Sequence, residues 1–70
     1  MRCKVVCSAK IPSPEGIYLC FSPVISGSKE NEEYFKYTPG GTIAFNLVRK
    51  ETAEKFELGK EYYVDFCSAF

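Results

Sequence analysis

This 70-residue chain contains no histidine, so its strongest candidates for metal binding or thiol and acid–base chemistry are four cysteines and nine carboxylates. Without imidazole there is no Cys-His pair, no histidine base and no imidazole ligand. The cysteines are Cys3, Cys7, Cys20 and Cys67, and no two stand in a C-x2-C pair. On one strand Cys3 and Cys7 would lie about 13 Å apart, too far to bond each other or to share a metal. Glu61 and Asp65 would be separated by about the same distance on a strand, so they are not a close carboxylate pair. Glu30, Glu32 and Glu33 could attract a cation, but such a run more often forms a solvated helix start.

Gly59-Lys60 resembles the end of a phosphate-binding loop only superficially. That loop needs glycine five residues earlier and Ser or Thr after the lysine. Here Glu54 and Glu61 occupy those positions, and the local order is helix to strand, the reverse of what the loop requires. Gly59 reads as a helix stop before a final strand. The sequence therefore offers no catalytic residues, no cofactor motif and no metal set, and it predicts a protein that is not an enzyme.

The elements follow from residue periodicity. Residues 2–10 alternate, with Cys3, Val5, Cys7 and Ala9 on one face and Arg2, Lys4, Val6, Ser8 and Lys10 on the other. "IPSPEG" supplies a turn. Residues 17–22 form a second strand, with Ile17, Leu19 and Phe21 inward and Tyr18 and Cys20 outward, in an antiparallel hairpin with the first. Ser28 caps a helix over residues 29–36 whose Phe35 points inward. Thr38-Pro39-Gly40 suits a type II turn. Residues 42–48 form a third strand with Ile43, Phe45 and Leu47 on one face. "RKETAEKF" is a short helix with Ala53 and Phe56 inside and a Glu51–Lys55 pair outside. Residues 61–66 form the fourth strand, with Tyr62, Val64 and Phe66 inward and Tyr63 outward. The core is then Val5, Leu19, Phe21, Phe45, Phe56, Val64 and Phe66.

This pattern predicts one small domain over residues 1–70. It is mainly β within the α+β class: a small curled antiparallel sheet or half-barrel of about four strands with one or two short helices. A β-grasp-like arrangement is the alternative. The 46% apolar content is that of a folded globule rather than a disordered chain.

Composition also bounds the partners. Nine basic residues balance nine acidic ones, which argues against a generic DNA-binding protein. No apolar run approaches the ~20 residues of a membrane span. Lys10 interrupts the N-terminal region before an apolar signal segment could form, so a cytoplasmic protein with reduced thiols is expected. The outward set Val6, Tyr18, Cys20 and Tyr63 is apolar enough to contact a protein partner or a second copy of the chain. The alternative is single-stranded nucleic acid, bound by Arg2, Lys4, Lys10 and Tyr37 through phosphate contacts and base stacking.

Three blocks, "CKVVC", "FSPVISGSKENEEYFKYTPGG" and "EKFELGKEYYVDF", together resemble a group of small uncharacterised proteins encoded by tailed bacteriophages. The resemblance spans nearly the whole chain and weakens at Cys67 and Phe70. It implies a viral protein in a host bacterial cytoplasm, of the kind that binds a host machine or defence protein. It carries no site residues.

Unpaired thiols are directly testable. Alkylation in denaturant without reductant, read by mass spectrometry, should label all four cysteines; two or none would identify disulfides.

Overall fold

A computed structural model describes residues 2–37 and 40–69. Its elements are β1 (Arg2–Ser13), β2 (Gly16–Pro23), α1 (Lys29–Tyr37), β3 (Ile43–Val48), α2 (Lys50–Ala53) and β4 (Glu61–Asp65). The strands form one sheet in the order β3-β2-β1-β4, with every neighbouring pair antiparallel. The expected mainly β architecture with two short helices is therefore what forms. The sheet stays open, with β3 and β4 as its edges. It does not match the β-grasp alternative, whose first and last strands pair parallel; here β1 and β4 pair antiparallel.

This strand order dictates how the core is covered. The chain must pass from β3 at one edge to β4 at the other, and residues 49–60 make that crossing over one face. Ala53 of α2 is fully buried on the way. Phe56 packs edge-to-face on Phe21 (5.4 Å) and Tyr62 (5.2 Å). Cys3, Val5, Cys7, Leu19 and Phe21 are buried beneath the crossing, with Ile43, Val48, Phe56, Tyr62 and Val64 packed around them. The crossing ends in a turn with Gly59 at φ 85°, a left-handed conformation that favours glycine. The Gly59 amide donates to the Cys7 carbonyl (2.8 Å), and the Cys7 amide donates to the Lys60 carbonyl (3.0 Å). Gly59-Lys60 is thus the corner that starts the β1–β4 ladder. It is not the helix stop, since α2 has already ended at Ala53, and Lys55, expected to pair with Glu51, lies beyond the helix.

Two bulges reset the alternation. In β1 the register passes from Cys7 opposite Phe21 to Ala9 opposite Cys20, leaving Ser8 as the extra residue. Beyond it Lys10 stands opposite Leu19, on the core side, and donates from Nζ to the Phe56 carbonyl (2.8 Å). The expected inward Ala9 and outward Lys10 are thereby exchanged. In β3, Asn46 and Leu47 oppose the single Tyr18, between the pairs Leu19–Phe45 and Ile17–Val48. Leu47 takes φ 56° there and is 57% exposed, and Val48 takes the inward place expected of it. Gly16 fits this bulge: a Cβ on it would lie 3.0 Å from Leu47 Cα and carbonyl carbon, closer than packed atoms sit.

Three expected inward aromatics are not buried. Phe45 keeps the core parity and touches Phe21 edge-on (6.5 Å), but β3 is an edge strand and the ring is 51% exposed. Phe66 lies past the end of β4 and is 56% exposed. Phe35 is 38% exposed, because α1 turns Asn31 toward the sheet instead. The Ser28 cap forms as expected, its Oγ accepting from the Asn31 amide (3.0 Å). The Thr38-Pro39-Gly40 turn falls on Thr38 and Pro39, outside the described residues.

Denaturant titrations should separate covered from uncovered positions. Leu19, 2% exposed, should cost about 2–5 kcal/mol on truncation to Ala. Phe66→Ala should cost no more than about 1 kcal/mol, being largely solvated already. Equal losses would mean that Phe66 is covered after all.

Candidate interaction surface

The face of the sheet opposite the crossing carries the four expected partner-contact residues, Val6, Tyr18, Cys20 and Tyr63, and the strand register divides it into two regions. Tyr63 stands opposite Lys4 on β1, and Tyr18 stands opposite Ile11. Lys4 and Ile11 are seven residues apart on one strand, roughly 23 Å. The two tyrosines therefore stand at opposite ends of this face. Tyr63 and Val6 lie in the first region, Tyr18 and Cys20 in the second.

The first region is polar and occupied by α1. Lys4 Nζ lies 2.5 Å from Glu30 Oε2 and 3.6 Å from Glu61 Oε1, and its side chain is only 11% exposed. The Tyr63 hydroxyl donates to Glu30 (2.9 Å to Oε2). The Tyr63 ring lies beside Tyr34 (6.2 Å) and beneath the cations of Arg2 (5.2 Å) and Lys4 (5.5 Å). Arg2 in turn makes a two-pronged pair with Asp65 (2.8 and 3.0 Å). Asn31, buried to 1% exposure, donates from Nδ2 to the Ser26 carbonyl (2.9 Å) and to Glu61 (2.7 Å). Its Oδ1 has no protein partner among the described residues. Polar anchors therefore fasten α1 to the sheet. Beside them Val6, Val24, Ile25 and Glu61 line a shallow open groove.

These contacts set the local proton affinities. The Lys4 ammonium, and then the Tyr63 hydroxyl, hold Glu30 below its ordinary 4.5. The Arg2 guanidinium holds Asp65 below its ordinary 3.8. Hydrogen bonds to Glu30 raise both Lys4 and Tyr63.

The second region is apolar. The pairs Ile11–Tyr18, Ala9–Cys20 and Cys20–Ala44 place these five residues side by side across β1, β2 and β3. Ile11 is 55% exposed, Ala44 is exposed, and Ala9, Tyr18 and Cys20 are half-buried. Contact with the Cys20 thiol raises the Tyr18 phenol above its ordinary 10.0. Ile11, Ala9 and Ala44 join this surface only through the strand register. The Ser8 bulge moved Ala9 and Ile11 to this face, and nothing in the local residue types signals a bulge there.

The basic candidates do not form a track. Arg2 and Lys4 are both neutralised by carboxylates, Lys10 lies on the opposite face, and Tyr37 projects from the end of α1 at 83% exposure. Among the described residues no group of three or more His, Cys, Asp or Glu could hold a metal ion. Cys3 and Cys7 lie in the core, and no cysteine is disulfide-bonded. Among the described residues no helix is long and apolar enough to cross a membrane. Comparison with protein-family models, curated proteins and solved structures gives no match.

The polar region makes stability depend on pH with a definite sign. Glu30 and Asp65 titrate below their unfolded values, so they stabilise the fold above those values and lose that contribution as pH falls through the folded ones. Lys4 and Tyr63 titrate above their unfolded values, so their contribution is lost as pH rises through the folded ones. Denaturation midpoints should form a plateau from about pH 5 to 9 and fall on either side. Glu30→Gln should flatten the acid limb; an acid limb identical to the parent's would remove Glu30 from the account.

Proposed function

We propose that this chain is a non-catalytic binding protein that docks on a partner protein through the apolar half of its outer sheet face. The observation that carries the proposal is the continuous strip Ala9, Ile11, Tyr18, Cys20 and Ala44, adjacent by strand register and open at Ile11 and Ala44. Apolar surface with a tyrosine, which offers a broad apolar ring and a polar tip, is typical of the centre of a protein interface. The other outward candidates, Val6 and Tyr63, lie with the polar anchors of α1 and would form the rim of such a contact. The resemblance to bacteriophage proteins supports a host bacterial protein as the partner and the host cytoplasm as the place of action, in host takeover or against a defence system.

Single-stranded nucleic acid has less support. Its basic contacts would have to come from Arg2 and Lys4, already paired, and from Lys10 on the other face. Backbone-tracking proteins need cations free to replace phosphate counterions.

The test is differential capture. Immobilised parent and an Ile11→Glu, Tyr18→Glu variant of unchanged circular dichroism are exposed to bacterial lysate, and bound proteins are quantified by mass spectrometry. A defined protein held by the parent and lost by the variant is the expected result. Equal retention by both, or tight oligonucleotide binding that weakens steeply with salt, would overturn the proposal.

A further inference from the structure

The two sheet edges differ in a way that bears on self-association. β4 reads Glu-Tyr-Tyr-Val-Asp. If two copies paired antiparallel about Tyr63, each Glu61 would face an Asp65, and like charges directly opposite repel. β3 reads Ile-Ala-Phe-Asn-Leu-Val, with no charge and no proline. Its Ala44, Phe45, Asn46 and Leu47 are all exposed. Natural edge strands are usually blunted by lysine, proline or a bulge. On β3 only the bulge at Leu47 does this, and it leaves Ala44, Phe45 and Asn46 exposed ahead of it.

We propose that β3 pairs antiparallel with β3 of a second copy, about a two-fold axis at Ala44, joining two sheets into one of eight strands. The side chains favour this register. It places Phe45 opposite the partner copy's Ile43 twice over, on the core side. Phe45 is the aromatic that the monomer leaves 51% exposed at the rim of its core, next to Phe21. Ala44, small and on the other face, meets its own copy at the axis without crowding. An axis at Phe45 would instead bring Ile43 opposite Leu47, whose φ of 56° takes it off the pleat. Pairing β3 to β4 would be head-to-tail and would end only in a ring or run on as a filament; the β3–β3 pair closes at two copies. The pairing stands independently of the docking proposal. If both hold, Ala44 at the axis joins the two apolar strips into one surface.

Sedimentation of the parent from micromolar to about 1 mM, the weak end of specific association, should show a reversible monomer–dimer equilibrium. Ala44→Lys and Ala44→Glu should each raise the dissociation constant about fivefold or more, since like charges would meet at the axis. An equimolar mixture of the two should recover a dimer, which also shows that both variants fold. Without any variant, amides of residues 42–46 should gain hydrogen-exchange protection on concentration. A parent that stays monomeric overturns the proposal. So do Ala44 variants that dimerise as the parent does, or association without added protection in β3. Loss of the dimer in Tyr18→Glu but not in the Ala44 variants would place self-association on the outer face instead.

Discussion

The connection from β3 to β4 is the constraint on which the rest of the molecule depends. Those strands are opposite edges of the sheet, so residues 49–60 must travel its full width. The crossing serves as the covering layer of the core. Ala53 and Phe56 complete the core begun by Leu19 and Phe21. The far end of the crossing is pinned by the Cys7 backbone, whose amide and carbonyl hold Lys60 and Gly59. Lys10 fits the same scheme, bonded to the Phe56 carbonyl from the core side. Core cover, sheet width and the start of β4 are therefore one arrangement.

Covering one face this way leaves the other to α1, and that face is organised differently. Its buried helix residue is Asn31 rather than an aliphatic side chain. Lys4, Glu30, Glu61 and Tyr63 satisfy one another around it. Exposed ion pairs add little stability on average, so these contacts serve chiefly to fix where the helix sits. They also dispose of much of the charge at one end of the outer face. The other end, toward the β1–β2 turn, is left with an uncharged surface.

The fold was legible in the sequence wherever alternation ran unbroken. Alternation alone puts Cys3, Val5, Cys7, Leu19 and Phe21 on the core side, where they lie, and Ser28 reads as the cap of α1. Legibility ended at Ser8 and Leu47, because a one-residue bulge reverses every later assignment in its strand. Parity also says nothing about strand order. Phe45 faces the core side and is still half exposed, since only the order reveals that β3 lies at an edge. For the candidate surface, the outward positions of Tyr18 and Tyr63 could be read, but their separation could not. Tyr63's cross-strand neighbour, Lys4, lies far away in sequence, and local alternation does not say which strand β4 pairs with. Asn31 was invisible for a further reason: its anchors, the Ser26 carbonyl and Glu61, come from a loop and from the last strand.

The contact between Gly16 and the bulge at Leu47 joins the tip of the β1–β2 hairpin to the outer strand. A side chain at position 16 would crowd the backbone of residue 47 unless that backbone shifted. A lineage that lost the extra residue of β3 would be free to place alanine or serine at position 16. A lineage that keeps it would be held to glycine there. The choice of residue at position 16 is thus tied to a backbone irregularity on another strand.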